Sequence, residues 1–332
     1  MSKFNVLVTG GAGFIGSHLV EKLLKNKKIK KVVIIDHFKD GSTKNLRNII
    51  KDKKLIIKKK DIRNIKSFEK YFKNIDYVFH LAAIADIVPS INQPKEYIDT
   101  NFLGTVNVLE ASRKYKIKKI IYAASSSCYG ITPKKQINEN HSISTLYPYS
   151  FSKNIGEQAI IHWSNVYKIK FISLRLFNVF GTRSRTTGAY GAVMGIFLKQ
   201  KLSNKPFTIV GNGKQSRDFI NVKDVVDAFE MSAFSKINNK IFNVGTGKPN
   251  SVNYLAKILG GKKTYVPKRP GEPFYSSANN KKIKEYLKWQ PKVTFEKGIK
   301  ELLKNINYWK VAPLWDKKSI SKATKTWFKN LS

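Results

Sequence analysis

A tyrosine and a lysine four positions apart form the chemically most suggestive pair in this sequence of 332 residues. Tyr149 and Lys153 lie in the segment 147–153, and Ser125 stands 24 residues before the tyrosine. Positions four apart share one face of a helix, so the phenol and the ammonium can meet there. A phenol normally has a pKa of about 10, and a neighbouring cation lowers that pKa by favouring the phenolate. The pair therefore indicates a base that removes a proton from an alcohol, although a surface helix with this spacing by chance is an alternative.

A glycine-rich segment near the start of the chain indicates what would lie beside that base. Gly10, Gly13 and Gly16 come between an apolar run at 4–8 and a helical pattern at 16–24. In such a strand–turn–helix, the first glycine makes a tight turn, the second lets backbone approach a pyrophosphate, and the third allows helix to pack closely on strand. The helix N-terminus stabilises the phosphate charge. The segment predicts a dinucleotide site, with Phe14 and Ile15 at its turn.

Asp36 indicates which dinucleotide is bound. It ends the apolar run 32–35 and lies 20 residues beyond Gly16. A carboxylate at this place accepts hydrogen bonds from the adenosine ribose and repels a 2′-phosphate, which favours NAD over NADP. His37 and Lys39 follow closely, so some NADP binding stays open. A strand-end aspartate that only caps a turn is the other alternative.

The elements that must position these residues alternate in type along the first half of the chain. Apolar runs at 4–8, 32–35, 55–57, 76–83, 119–126 and 171–177 alternate with helical patterns, including a long one at 94–115 and one that opens at Tyr149. This order predicts the α/β class, with a doubly wound parallel-sheet Rossmann domain over residues 1–178. A polar loop at 182–191 and a helix at 192–202 begin a smaller α/β substrate-binding lobe, 179–332. The segment 218–244 is a candidate to return to the first lobe.

The net charge of +40 raises the question of a nucleic-acid partner. The 62 basic residues comprise 54 Lys and only 8 Arg, and the lysines are spread over nearly every predicted helix and loop. Arginine is the preferred reader of phosphates and base edges. We therefore interpret the charge as a compositional bias towards lysine on solvated faces and expect no nucleic-acid partner. The basic field should still attract an anionic nucleotide substrate.

Membrane insertion and disulfide bonding are not expected either. No run approaches the roughly 18 apolar residues of a membrane-spanning helix, and the first strand pattern leaves no room for a signal peptide before it. Cys128 is the only cysteine, so no internal disulfide is possible, and no motif places a base beside it. We expect a cytoplasmic protein without a metal site.

With these residues in place, the sequence resembles the extended short-chain dehydrogenase/reductase superfamily over nearly its whole length. Within that superfamily the match is to NAD-dependent nucleotide-sugar epimerases of the UDP-glucose 4-epimerase type. The motifs that carry the resemblance are the segments 9–16, 61–62, 80–83, 125–130, 149–153, 175–178, 211–218 and 269–272, together with Asn101. Their shared order along the chain is far more specific than any one motif.

The resemblance implies a cofactor site and a catalytic group. The implied NAD-binding residues flank the adenine, line the groove or lie near the nicotinamide; they are Gly10, Gly13, Phe14, Ile15, Gly16, Asp36, Asp61, Ile62, Leu81, Ala82, Ala83, Asn101, Tyr149, Lys153 and Phe177. The implied catalytic residues are Ser125, Tyr149 and Lys153. Three consecutive hydroxyls blur the alignment, so Ser126 and Ser127 stay open as alternatives for the serine.

The resemblance also implies a UDP-sugar substrate. Asn178 and Arg217 match positions that bind the diphosphate, and Arg269 would contact a phosphate. Glu272 would accept from the uridine ribose, although a surface ion pair between Arg269 and Glu272 is an alternative. Ser276 stands where some family members have a bulky aromatic residue, and it leaves room for an N-acetyl group. The whole implied substrate set is Ser125, Ser126, Ser127, Tyr149, Asn178, Arg217, Arg269, Glu272 and Ser276.

The implied reaction is reversible C4 epimerisation of a UDP-hexose, either UDP-glucose/UDP-galactose or the N-acetylated pair, through a 4-keto intermediate with tightly bound NAD. Ser126 and Ser127 stand where dehydratase relatives have acidic residues, which disfavours 4,6-dehydration. A UDP-uronate epimerase or another nucleotide-sugar dehydrogenase/reductase is the alternative on the same scaffold. A basic nucleic-acid-binding protein on a vestigial dinucleotide fold and a non-catalytic NAD sensor are alternatives of other classes. The resemblance further implies a homodimer, paired through helices near 94–115 and 149–167.

Overall fold

The computed structural model describes residues 3–186 and 193–331. Its strands are β1 (Phe4–Thr9), β2 (Ile29–Asp36), β3 (Leu55–Lys59), β4 (Tyr77–His80), β5 (Lys119–Ser125), β6 (Phe171–Leu176), β7 (Asn178–Phe180), β8 (Phe207–Val210), β9 (Ser216–Arg217), β10 (Phe219–Asn221), β11 (Lys240–Val244), β12 (Asn250–Ser251) and β13 (Lys263–Val266). Its helices are α1 (Phe14–Lys25), α2 (Ile65–Phe68), α3 (Ile87–Asn92), α4 (Pro94–Tyr97), α5 (Gly104–Lys114), α6 (Pro148–Tyr167), α7 (Val193–Leu202), α8 (Val222–Phe234), α9 (Val252–Leu259), α10 (Lys281–Leu287), α11 (Phe295–Lys304) and α12 (Lys317–Leu331).

Seven parallel strands form the central sheet, in the order β3-β2-β1-β4-β5-β6-β11. The central strands are mostly apolar and buried because helices cover both faces of the sheet. Val6 and Val8 belong to the core beneath α1 and α8, whereas Leu7 belongs to the core beneath α5 and α6. All three side chains are fully buried, and burying such a side chain contributes about 1.5–3 kcal/mol. The predicted doubly wound parallel sheet is confirmed.

The strand order reverses between β1 and β4, which leaves a crevice beyond their carboxyl ends. The glycine segment follows β1, and a loop of small residues follows β4. These two connections therefore meet at the place where an open α/β sheet binds its ligand.

A smaller group of elements lies beyond the carboxyl ends of the sheet. Strands β8 and β13 pair in parallel, and β9 and β12 pair antiparallel. Phe197 of α7 stacks on Phe207 of β8 with ring centres 4.8 Å apart, and both belong to a core that includes residues of α9, α11 and α12. Strand β11, in the segment 218–244, is the edge strand beside β6, while α8 packs on α1. The division of the chain near residue 178 stays a prediction.

Two expected helices differ from the structure in their bounds. The pattern at 94–115 is interrupted, because α4 and α5 are separated by a π-helical segment, Ile98–Leu103. The helix expected at 192–202 is described from Val193. Ala192 and the loop residues 187–191 lie outside the described part of the chain. Within that part, no helix combines the length and the apolar character needed to cross a membrane.

Candidate active site

A cleft of about 690 Å³ lies between the carboxyl edge of the sheet and the smaller group of elements. One end is lined by the glycine segment and Asp36, the middle by Ser125 and Tyr149, and the other end by Arg217. The predicted residues that line it are Gly10, Gly13, Phe14, Ile15, Gly16, Asp36, Asp61, Ile62, Leu81, Ala82, Ala83, Ser125, Ser126, Ser127, Tyr149, Phe177, Asn178, Arg217, Arg269, Glu272 and Ser276. Asn101 and Lys153 are buried behind the wall of the cleft.

The glycine segment makes a turn that side chains would block. Gly10 has a φ of +71°, in the left-handed region, and a Cβ there would lie 2.8 Å from the backbone nitrogen of Ala82. A Cβ on Gly16 would collide with the carbonyl of Gly10. Gly13 is the N-cap residue of α1 and offers no capping side chain. The N-terminus of α1 is therefore open to a pyrophosphate, as dinucleotide binding requires.

Asp36 is nearly buried at the end of β2 and lines the cleft. Its Oδ2 accepts from the backbone nitrogen of Ala12 at 2.9 Å, and its Oδ1 accepts from that of Phe38 at 2.8 Å. These bonds fix the carboxylate beside the glycine turn, and each oxygen keeps a second lone pair for a ribose hydroxyl. The hydrogen bond with Asp36 also raises the pKa of His37, despite the opposing effect of burial.

The adenine side of the predicted site is formed by Asp61 and Ile62. Arg63 binds Asp61 through Nε at 2.9 Å and Nη2 at 2.6 Å. Burial opposes ionisation of Asp61, but the hydrogen bonds and charge of Arg63 hold the pKa of the carboxyl below its usual value. The arginine therefore keeps this carboxylate charged at the rim of the cleft.

Asn101 is buried and does not line the cleft, and its predicted role in binding the cofactor stays a prediction. Its Oδ1 accepts from the backbone nitrogen of Ile84 at 2.8 Å, and its Nδ2 donates to the carbonyl of Ile84 at 3.0 Å and to Ser152 Oγ at 2.9 Å. Asn101 lies in the π-helical segment, and both ends of its amide bind protein groups, mainly the backbone of the loop after β4. It thereby fixes the backbone next to Leu81, Ala82 and Ala83.

Ser125 is the serine that faces the phenol. The Tyr149 hydroxyl donates to Ser125 Oγ at 3.3 Å. Ser125 Oγ also lies 2.8 Å from Ser127 Oγ and accepts from the Ser127 backbone nitrogen at 3.2 Å. Because Ser125 ends β5 and caps the short helix Ser126–Tyr129, its hydroxyl is held at the carboxyl edge of the sheet.

Lys153 corrects the expected electrostatics. Its ammonium lies 4.3 Å from the centre of the Tyr122 ring, in a fully buried position. Burial lowers the pKa of Lys153 to about 7, with Glu157 opposing the shift. Burial raises the pKa of Tyr149, and the hydrogen bond with Ser125 only partly offsets it. The structure therefore does not show the expected lowering of the Tyr149 pKa by Lys153, because the ammonium lies over the aromatic face of Tyr122.

At the far end of the cleft, one carboxylate lies between two arginines. Arg217 Nη2 lies 2.8 Å from Glu272 Oε1, and Arg269 Nε lies 3.0 Å from Glu272 Oε2. The ion pair between Arg269 and Glu272, which was an alternative interpretation of the sequence, is thus present. Arg217, Arg269 and Glu272 nevertheless all line the cleft. The planar guanidinium groups of the two arginines suit a diphosphate. Burial lowers the pKa of Arg217, against the effect of Glu272.

Comparison with known proteins identifies the family. The model of the NAD dependent epimerase/dehydratase family matches residues 6–245, more than half of the sequence. The chain belongs to this family. A putative UDP-glucose 4-epimerase of Methanocaldococcus jannaschii is 39% identical over 306 residues, which cover 90% of this chain and 97% of the relative.

Two solved structures resemble this family member in fold. The UDP-glucose 4-epimerase of Thermotoga maritima, solved with UDP-glucose, is 34% identical with a TM-score of 0.84 and covers 92% of this chain and 98% of its own. The UDP-glucuronic acid 4-epimerase of Bacillus cereus, in complex with UDP-glucuronic acid and NAD, is 30% identical with a TM-score of 0.86 and covers 91% and 99%. NAD is the cofactor of the present protein as a member of this family. The N-terminus of its helix α1 fits the pyrophosphate of NAD.

The structure also brings residues to the cleft that the sequence motifs did not indicate. Arg185 lies within ion-pair distance of Asp40 at 2.9 Å and of Asp86 at 2.5 Å, so it joins the connections after β2 and β4. Trp327 lines the opposite end. The scarcity of arginine was a usable signal, since Arg185, Arg217 and Arg269 are three of only eight in the chain. No sequence motif marked the tryptophan.

Proposed function

We propose that this enzyme catalyses reversible C4 epimerisation of a UDP-hexose, UDP-glucose/UDP-galactose or the N-acetylated pair. The observation that carries the proposal is the Tyr149 phenol, 3.3 Å from the Ser125 hydroxyl. The pair lies in a cleft that also contains the glycine turn and Arg217. One cleft thus offers places for a dinucleotide, a reacting alcohol and a diphosphate.

In the proposed reaction, Tyr149 transfers a proton, and Ser125 and Lys153 position or stabilise the reacting groups. Tyr149 takes the proton of the sugar C4 hydroxyl, and Ser125 donates a hydrogen bond to the same oxygen. NAD, when bound, would accept the C4 hydrogen as a hydride and later return it to the sugar. The 4-keto sugar turns about its diphosphate link, and Tyr149 then gives the proton back. Lys153 is the cation in reach of this helix face, and moving it from Tyr122 towards Tyr149 would favour the phenolate.

The neighbours of the phenol support epimerisation over dehydration. Ser126 and Ser127 line the cleft next to Ser125, and a serine hydroxyl is a far weaker acid than a carboxyl group. Loss of water from the sugar would need a proton donor for the leaving hydroxyl. These serines do not provide a carboxylic acid for that step.

Ser276 supports a substrate with room for an N-acetyl group. Its small side chain lines the same end of the cleft as Arg269 and Glu272. A UDP-uronate is the competing substrate, because the Bacillus cereus structure binds UDP-glucuronic acid.

A panel of UDP-sugars separates these possibilities. We expect purified enzyme to convert UDP-galactose or UDP-N-acetylgalactosamine to its C4 epimer, as NMR of the products would show, and to leave UDP-glucuronate largely unchanged. A reductase would instead consume NADH stoichiometrically, which absorbance of the dihydronicotinamide detects. Failure of every UDP-hexose with NAD present contradicts the proposal.

A homodimer remains part of the proposal. Four large apolar side chains are about half exposed on the two helical segments that the resemblance pairs across a two-fold axis; they are Leu103, Phe151, Val166 and Tyr167. Light scattering coupled to size exclusion should give twice the chain mass of 37.9 kDa. A monomer at micromolar concentration contradicts the prediction.

A further inference from the structure

The C-terminal helix α12 contributes a wall of the cleft, and it lies outside the segment that the family model matches. Its residue Trp327 is buried, with 3% of its surface exposed. It shares a hydrophobic core with Tyr147 and with Val88 of α3, both of which also line the cleft. The helix therefore joins the smaller lobe to the connection that follows β4.

Trp327 contacts the segment that holds Arg269 in two ways. Its indole Nε1 donates to the carbonyl of Pro270 at 2.7 Å. The guanidinium carbon of Arg269 lies 5.4 Å from the centre of the Trp327 ring, within the range of a cation–π interaction. The ring of Tyr147 packs on the same tryptophan, with centres 5.7 Å apart.

The far end of that segment is fixed by backbone bonds to β9. The backbone nitrogen of Ser216 donates to the carbonyl of Phe274 at 2.9 Å, and that of Ser276 donates to the carbonyl of Ser216 at 3.1 Å. Between these bonds and Pro270 the chain turns through Gly271, whose φ of +66° is in the left-handed region. Trp327 and β9 thus hold the two ends of one turn that presents Arg269 and Glu272 to the cleft.

An arginine side chain loses considerable rotamer entropy when a ligand immobilises it. Here the guanidinium is already confined between the Trp327 ring and the Glu272 carboxylate, 3.0 Å away. Such preorganisation reduces the cost of binding an anionic group.

We propose that Trp327 is a positioning residue of the nucleotide-sugar site, which holds Pro270 and the Arg269 guanidinium in place for the diphosphate of the substrate. The inference rests on the proposed function, because it takes the ligand at this end of the cleft to be a nucleoside diphosphate. Trp327 itself touches Arg269 and acts through it.

The test measures binding of UDP to full-length, NAD-loaded protein by calorimetry, together with kcat and KM for the UDP-sugar. Trp327→Phe keeps an aromatic face but loses the bond to Pro270, and we expect UDP to bind about two- to tenfold more weakly. Trp327→Ala loses both contacts and should cost about tenfold or more. In each variant KM should rise while kcat and NAD affinity stay near those of the wild type.

Trp289→Phe is the matched control. The indole of Trp289 is also buried and donates to a backbone carbonyl, that of Asp224 at 2.9 Å, but it does not line the cleft. We expect this variant to lose thermal stability and to keep its affinity for UDP. A general loosening of the fold would weaken UDP binding in both proteins.

A double-mutant cycle with Arg269→Ala tests the route of the effect. If Trp327 acts through Arg269, the tryptophan substitutions should change UDP affinity by less than about twofold once the arginine is absent. Should Trp327→Ala fail to fold, Trp327→Phe in both backgrounds decides the question.

Three outcomes would overturn the inference. Unchanged UDP affinity in the folded Trp327 variants contradicts it alone, as does an equal loss with and without Arg269. Wild-type protein that binds no UDP contradicts the proposed function as well, so the wild-type measurement separates the two failures.

Discussion

At the residue scale, the proposed reaction depends on the Tyr149 hydroxyl. Tyr149→Phe removes the proton acceptor but leaves the ring beside Tyr97, with centres 6.4 Å apart. We expect kcat to fall by about 10²- to 10⁴-fold, while NAD still binds as judged by its release on denaturation. Tyr167→Phe, on the exposed end of α6, should retain full activity. Near-normal turnover of Tyr149→Phe would remove the phenol from its role.

Lys153 provides a prediction about stability. Its pKa is about 7 in the folded protein and 10.5 in an unperturbed chain, so the unfolded chain binds more protons between these values and stability rises with pH there. The charged lysine therefore costs most below pH 7. We expect Lys153→Met to abolish turnover but to raise the melting temperature at about pH 6, with a gain over wild type that shrinks towards pH 10. A lower melting temperature at pH 6 would show that the buried ammonium is net stabilising.

The catalytic group inferred from the residue types stays a prediction, and the sequence could not predict where the Lys153 ammonium lies. Helical spacing places Tyr149 and Lys153 on one face of α6. The lysine side chain is long and flexible, however, so its ammonium can bind an acceptor or an aromatic ring on another element. In the folded chain that group is Tyr122, which the sequence places on a strand rather than on the same helix.

At the element scale, the π-helical segment Ile98–Leu103 positions the loop after β4. Asn101→Ala removes the bonds to the backbone of Ile84, each worth about 1 kcal/mol, and should loosen the loop that lines the cleft. We expect NAD affinity to fall about tenfold or more and the melting temperature to drop. The measurement is titration of NAD-stripped protein with NAD by calorimetry.

Asn5→Ala is the control for that change. Asn5 Nδ2 donates to the carbonyl of Asn74 at 2.8 Å, at the amino end of β1 and away from the cleft. This variant should lose stability without losing NAD affinity. Equal NAD affinities in the Asn101 and Asn5 variants would contradict the role given to the π-helical segment.

The strands of the central sheet were predictable because their apolar runs are nearly continuous. Most of the helices that cover the sheet were predictable from their helical periodicity. The interruption at Ile98–Leu103 was not. Within it, the side chain of Asn101 forms hydrogen bonds with the backbone of Ile84, 17 positions away. Helical periodicity reports which face is buried, and it cannot report such a long-range bond.

At the scale of the whole molecule, the net charge of +40 predicts how the substrate reaches the cleft. A basic field attracts an anionic UDP-sugar, and salt screens that attraction. We expect KM to increase several-fold when ionic strength is raised about tenfold from a low-salt buffer, with kcat little changed. A KM independent of salt would show that the lysines do not assist substrate capture.

The second lobe was the part least accessible from sequence. Arg217 and Arg269 were found through the family resemblance, and their scarcity among 54 lysines supports the assignment. Trp327 was not found, because its contact with Arg269 joins residues 58 positions apart and follows no periodic pattern. Contacts of this kind depend on how α12 packs on α3, which only the folded chain shows.

The central claim is that hydrogen leaves C4 of the sugar and returns to the same carbon within one retained complex. Its most direct test is incubation of purified enzyme, without added NAD, with a UDP-hexose that has deuterium at C4. We expect a C4 epimer that keeps the deuterium in ordinary water, with no build-up of dihydronicotinamide absorbance. Loss of the deuterium to solvent, or recovery of the unchanged sugar from every UDP-hexose supplied with NAD, would contradict it.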